Sequence, residues 1–388
     1  MGRAGKTGYL PTLDGWRAIA IFAVLLDHQV EYSPLASYPR LIAFAHTGPN
    51  GVSLFFAISG FLICSRLLEE REAYGCISLR GFYVRRACRI LPPAFLYLAA
   101  LVALSSFGLI LVSSRELWSS LLFSRNYLSD QWIHRGWGGY TIHYWSLAVE
   151  EHFYLLWPAA LVLFGKRRAR WFALGLACSV ALWRTLDSHY HWFNRVIPGL
   201  LFGCRTDVRL DALLLGCLAA LVLEDPRVRA AFSRLTSWAW WMLVAGYVAF
   251  QAFYFVQGSR TYSIFESALL AVIVAGTVYG DRTWVYAFLE REPMKWIGRL
   301  SYSLYLWQQL FLLPQARSSM AVLQQFPLGL MMLFLCAWLS YRFVERPFIR
   351  LGHRWAPPPT QGRDDLAREV VVGCLPAAVD RSRELIAS

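Results

Sequence analysis

Residues 13–30 read L-D-G-W-R-A-I-A-I-F-A-V-L-L-D-H-Q-V. The middle of the stretch is apolar enough to enter a bilayer, yet it carries Asp14, Arg17, Asp27 and His28. At about 100° and 1.5 Å per residue, the steps from Arg17 to His28 return to within roughly 20° of the start and climb about 16 Å. Arg17 and His28 therefore share one helix face at two depths. Asp14 lies within about 60° of both on the same geometry. Two readings follow: a poorly inserting helix with its charges parked in the two interfaces, or a polar track through a helix bundle.

Composition sets the class. Of 388 residues, 57% are hydrophobic and only 16% charged, with 17 Trp, 25 Phe and 19 Tyr. A soluble core has no use for that much apolar surface, so the expectation is an all-α integral membrane protein. Residues 13–30 read as a first spanning helix, since charge breaks the run and no small-residue cleavage site follows it. Further spans are expected near 51–68, 91–112, 146–165, 171–186, 209–224, 237–256, 263–280, 297–314 and 326–344, a polytopic bundle of about ten transmembrane helices.

The net charge of +13 points to orientation and not to nucleic acid. Basic residues gather on alternate connections: Arg66 to Arg89, Lys166-Arg167-Arg168 with Arg170, Arg227/Arg229/Arg234, Arg282/Arg291/Lys295, and the tail from Arg342. The opposite connections hold fewer, among them Arg40, Arg115, Arg125 and Arg135. By the positive-inside rule this predicts both termini in the cytoplasm and a multi-pass protein of the cell membrane. The eight cysteines show no paired metal spacing, so neither disulfides nor a metal site is expected. Residues 1–350 form the expected membrane domain. Residues 351–388, with the linker-like A-P-P-P-T-Q-G-R-D-D, are expected to be a poorly ordered cytoplasmic tail.

Several motifs carry chemistry. G-V-S-L-F-F-A-I-S-G-F-L-I-C at 51–64 is an apolar helix with small residues for close packing. F-Y-V-R-R-A-C-R-I-L-P-P brings Arg85, Arg86 and Arg89 to i,i+3 and i,i+4 spacings. Such a lobe suits topology, anionic lipid or a polyphosphate, whose oxygens match the guanidinium fork. H-Y-W-S-L-A-V-E-E-H-F-Y-L-L-W-P at 143–158 takes Glu150 and Glu151 into a membrane helix, which is costly unless a partner or water waits for them. R-L-D-A-L-L-L-G at 209–216 supplies Asp211, G-R-L-S-Y-S-L-Y-L-W-Q-Q at 298–309 supplies Tyr302, and V-E-R-P-F closes the series at 344–348.

In this order the motifs resemble the membrane acyltransferase-3 family, which O-acylates sugars and other hydroxylated molecules. The resemblance covers roughly residues 10–350 and rests on L-D-G-W-R ahead of His28, G-V-S-L-F-F-A-I-S-G-F-L-I, F-Y-V-R-R-A-C-R-I-L-P, W-S-L-A-V-E-E-H-F-Y-L-L-W-P, S-Y-S-L-Y-L-W and E-R-P-F. It implies a ten-helix domain, an acyl-CoA donor (acetyl-CoA being the commonest), no bound cofactor, and important roles for Arg17, His28 and the Arg86/Arg89 pair. The chain departs from the family pattern in carrying Gln308 where members often carry His, and His152 where they carry Gln.

Acyl transfer from a thioester to an alcohol needs a base for the hydroxyl proton and a stabiliser for the oxyanion. A neutral imidazole suits the base, which assigns that role to His28. Glu150 or Glu151 is expected to orient it, with Asp14, Asp211 and Tyr302 in support. Arg17, Arg85, Arg86 and Arg89 would hold the donor phosphates. The acceptor, a carbohydrate or other alcohol, would arrive from the opposite face. The rival class is a transporter with an Asp/Glu/Arg/His proton relay, against which stand the absence of an internal repeat and the arginine lobe. Oligomeric state and acceptor identity are not legible.

Overall fold

The first helix, α1 (Pro11–Glu31), starts with proline at the position where a missing N–H costs nothing, and runs through the charged stretch without a break. The structure, a computed structural model, describes residues 9–31, 48–128, 139–234, 237–256, 263–279, 284–312 and 319–357. Helix α2 (Gly48–Tyr74) follows, then α3 (Leu79–Ser106), whose first turn is capped by Ser78 accepting from Gly81 N–H. Helix α3 begins twelve residues before its expected start at 91, because the basic segment F-Y-V-R-R-A-C-R is helical and not a connection. Pro92 and Pro93 lie inside it. They remove two helix N–H donors, and the Tyr302 hydroxyl donates to the nearby Ile90 carbonyl at 2.8 Å.

The short α4 (Ser114–Leu121) opens with a reciprocal Ser113/Glu116 capping box. Two spans were expected over 146–165 and 171–186, with a basic loop between. The structure divides the region at the same place: α5 (Tyr144–Tyr190) is a run of two helices that meet at Gly165, where φ 64° and ψ 167° break the backbone, and the basic residues 166–170 open the second of them. Only glycine adopts that backbone cheaply, so one residue does the work of a connection. Next come α6 (Trp192–Val196), α7 (Thr206–Val222), α8 (Pro226–Ser233), α9 (Ser237–Val256), α10 (Ile264–Tyr279), α11 (Trp284–Leu289) and α12 (Glu292–Leu312). Helix α13 (Leu328–Ser340) passes through a π-helical turn, Tyr341–Glu345, into α14 (Arg346–Trp355). The helix therefore continues past residue 350; the rest of the expected tail, from 358, lies outside the described residues.

Among the described residues four helical stretches are long and apolar enough to cross a membrane: α2, α3, α5, and the run from Leu328 to Trp355. Helix α10 is apolar but shorter. The bundle is built on close backbone approach. Helix α1 packs along α12 and α2, and α2 along α7, which in turn lies against α5 and α10. A Cβ at Gly298 would strike the Asp14 backbone of α1, and one at Gly60 would strike Leu213 of α7. Small residues at these crossings let helices touch where lipid gives no hydrophobic drive. Trp16 of α1 donates to Thr277 of α10 at 2.7 Å, fixing the charged helix in the middle of the bundle.

Candidate active site: an arginine-lined cavity below a buried histidine

A cavity of about 820 Å³ opens where α1 begins and α2 ends. Arg17, Arg66, Arg85, Arg86, Arg89 and Arg299 face it, against Asp14, Glu69, Glu70 and Glu345, an excess of two positive charges (six against four). The arginines are not equivalent. Arg85 is committed to Glu70 at 2.8 Å and donates to the Ala356 carbonyl at 3.0 Å. Arg66 pairs with Glu69 at 3.0 Å. Arg17 lies 4.0 Å from Asp14, whose other oxygen accepts from the Tyr9 hydroxyl at 2.6 Å. Arg86 stacks its guanidinium 3.7 Å over the Tyr154 ring, and its buried Nε, like that of Arg17, has no hydrogen-bond partner. Arg89 sits among the charges of Arg17, Arg86 and Glu345.

The three-arginine lobe expected at 85–89 thus divides. Arg85 lines the cavity already tied to Glu70, while Arg86 and Arg89 join Arg17 there with no carboxylate within ion-pair distance of Arg86 or Arg89 among the described residues. Glu345 went unassigned in the sequence. The widened π turn brings it and Tyr341 to the cavity wall, where Ser303 Oγ donates to Glu345 at 2.9 Å.

Above the cavity a ladder of polar groups climbs between α2, α3, α5 and α12. Glu151, with one buried oxygen unpartnered, feels the Arg86 charge. Ser59 Oγ donates to Glu150 at 2.9 Å, and Tyr302 lies within electrostatic reach of both glutamates. A turn further, Ser146 Oγ and Tyr305 Oη lie 2.6 Å apart. Tyr305 Oη also approaches the His143 carbonyl at 3.3 Å. At this top level the His28 ring meets α12, its Nδ1 3.0 Å from Gln308 Oε1. His143 is within electrostatic reach of it and is ringed by Tyr97, Tyr144 and Tyr305 at centroid distances of 5.4, 5.0 and 5.6 Å.

Two expected site residues have other partners than the sequence suggests. The His28 ring meets Gln308 and no glutamate among the described residues; Glu150 accepts from Ser59, seven residues along α5 from His143, or roughly 10 Å lower. Asp211 lies outside the ladder's contacts and the cavity lining. It accepts both Arg184 Nη groups, at 2.9 and 3.0 Å, and Ser267 Oγ at 3.2 Å, tying α5, α7 and α10 together. The charges of Arg184 and Asp187 that crowd the far end of α5 are likewise consumed locally, Asp187 pairing with Arg205 at 2.6 Å. His143 opens the W-S-L motif and could have been read from it, whereas Gln308 was visible only as a departure from the family pattern.

A family model described as an acyltransferase domain matches residues 10–342. The chain belongs to the acyltransferase-3 family. Among curated members it is 28% identical to the peptidoglycan O-acetyltransferase OatA of Listeria monocytogenes, over 89% of this chain and 56% of that protein. It is 31% identical to the putative peptidoglycan O-acetyltransferase YrhL of Bacillus subtilis, again over 89% and 56%. A putative O-acetyltransferase of Staphylococcus aureus is 27% identical over 91% and 60%. The chain thus spans somewhat more than half the length of these acyltransferase-3 relatives. No solved structure matches it.

Proposed function

We propose that this acyltransferase-3 protein is a membrane-embedded O-acyltransferase of the cell membrane. It moves an acyl group, acetyl by preference, from cytoplasmic acyl-CoA to a hydroxyl of an extracytoplasmic glycan, glycolipid or glycosylated small molecule. The observation that carries the reading is the vertical arrangement on α1: Arg17 in a cationic cavity and His28 at the top of a polar ladder, with Glu150, Glu151 and Tyr302 between. Arg17, Arg86 and Arg89 hold the donor's phosphates, guanidinium forks being suited to phosphate oxygens. The pantetheine arm runs along the ladder and brings the thioester to His28.

Gln308 accepts from His28 Nδ1–H, which leaves the Nε2 lone pair for the proton of the attacking hydroxyl. The acceptor oxygen bonds to the thioester carbon, the C–S bond breaks, and the proton passes through His28 to the thiolate. The relatives' names support a glycan acceptor, peptidoglycan among the candidates. Ten spans with both termini in the cytoplasm follow from the basic connections and put donor and acceptor on opposite sides. A proton-coupled carrier, the rival class, would use titratable groups free to exchange; Arg184–Asp211 and Arg205–Asp187 are closed pairs. The test is acetyl-CoA consumption by the purified protein with mass spectrometry of cell-wall glycans from cells with and without it. No thioester consumption with any glycan would sink the proposal.

A further inference from the structure

The chemistry proposed above leaves one requirement without an owner: something must receive the negative charge that develops on the thioester carbonyl oxygen. Two buried side chains near the level of His28 carry nitrogens without hydrogen-bond partners. Gln308, fully buried on α12, uses Oε1 for His28, while its Nε2 has no partner. His143, 2% exposed, has no hydrogen-bond partner at either ring nitrogen. The Leu306 carbonyl is close to that ring but out of hydrogen-bonding geometry. Leaving a buried polar group unmade costs on the order of 1–3 kcal/mol, so orphaned N–H groups flanking a candidate base call for an occupant. The groups facing His143 are the Tyr97, Tyr144 and Tyr305 rings and, at longer range, His28 and Arg125, with no carboxylate facing it among the described residues. The Gln308 Nε2 group and the one N–H of a neutral His143 both call for an acceptor, and a nascent oxyanion is one.

We propose that Gln308 Nε2 and a ring N–H of His143 form the oxyanion site of the acyl transfer, so that Gln308 both fixes the base and binds the reacting oxygen. The inference rests on the reading of His28 as base. As the acceptor oxygen bonds to the carbonyl carbon, the carbonyl π pair moves onto oxygen and is met by the two N–H donors. The hydroxyl proton goes to His28 Nε2. Collapse re-forms C=O, expels the thiolate and returns the proton to sulfur, and both donors keep their protons throughout. Gln308 is a residue in which this chain departs from the family's common histidine, and a neutral histidine there also carries an N–H.

The test separates donating from positioning. Gln308→Glu keeps an acceptor for His28 Nδ1 but, when ionised, has no N–H and sets a negative charge beside the oxyanion. Gln308→His keeps a donor. CoA release from acetyl-CoA, with an N-acetylglucosamine oligomer as acceptor probe, is measured for the full chain, with thermal unfolding as the folding control. Gln308→Glu should lower kcat about 10²–10³-fold at unchanged donor KM, the loss typical of one oxyanion donor. Gln308→His should recover a large part of it, and His143→Phe should show a similar kcat-only loss. If Gln308→Glu yields no protein, Gln308→Met set against Gln308→His asks the same question. Near-wild-type kcat in Gln308→Glu, or equal losses in the Glu and His variants, would overturn the oxyanion site. A wild type that releases no CoA, or an active His28→Ala, would instead overturn the underlying reading.

Discussion

His28 and Gln308 are 280 residues apart in the chain and 3.0 Å apart in space. With Gln308 Oε1 as acceptor, Nδ1 carries the proton and Nε2 is the lone-pair nitrogen of the neutral ring. On the proposed reading of His28 as the base, the contact gives a sharp expectation. His28→Ala should lower acyl transfer by about 10²–10⁴-fold while the protein still inserts and purifies, since truncating a half-buried ring leaves the surrounding apolar contacts of α1 in place. Turnover near wild type at saturating acetyl-CoA would make the histidine structural.

Asp211 supplies a contrasting case. Its carboxylate is 1% exposed and takes a two-pronged contact from Arg184. Removing one partner of a buried pair strands the other charge, at about 3–5 kcal/mol. Asp211→Ala should therefore unfold markedly earlier, with donor KM unchanged in whatever protein survives. Replacing both partners, Arg184→Met with Asp211→Leu, should recover much of the stability. A stable Asp211→Ala with lost turnover would return this residue to the active site.

The difference between these two residues shows what the sequence could and could not disclose. Arg17 and His28 lie on one helix, so periodicity alone aligns them and sets their separation. Helix α9 is an unbroken apolar run, and it is helical throughout the expected span, 237–256. Asp211 sits in an equally motif-like stretch, but its role depends on Arg184, which comes from another helix. Hydropathy missed the start of α3 because its first three turns are basic. It placed the division of α5 at 165, where Gly165 breaks the backbone, but not the helical state of the basic residues 166–170 that follow, since one glycine with positive φ leaves no hydropathy signal. Glu345 needed the π turn, and Arg85 could not be told from Arg86 without Glu70.

Helix α5 also allows a direct test of orientation. From Arg168 to Tyr190 its second half rises about 33 Å, enough to cross a hydrocarbon core of about 30 Å. In a cysteine-free background, single cysteines at Arg168 and at the exposed Asn194, just beyond that helix, should label from opposite faces, with the Arg168 side cytoplasmic. Labelling of both from one face would remove the alternation that separates donor from acceptor.

The arginines of the cavity make the last prediction, because their geometry ranks them. Arg89 lies among the charges of Arg17, Arg86 and Glu345, Arg86 is stacked on Tyr154, and both line the cavity without a carboxylate at ion-pair distance among the described residues. Arg85 is already held by Glu70 and the Ala356 carbonyl. If the cavity takes CoA phosphates, Arg89→Ala should weaken acetyl-CoA binding roughly 10- to 150-fold, the worth of one charge-assisted hydrogen bond at about 1.5–3 kcal/mol. Arg89→Lys keeps the charge and loses the fork, so it should recover only part of the loss. Arg85→Ala should change affinity less than Arg89→Ala and stability more. Glu345→Gln removes a negative charge facing the same arginines, and should tighten binding severalfold in the direction Coulomb's law dictates. These four variants, measured by acetyl-CoA binding at low and high salt, distinguish a donor site from a lipid or topology role. A lipid or topology role predicts that lysine restores function fully and that acetyl-CoA affinity is the same in all of them. That result would leave the cavity without a phosphate to hold.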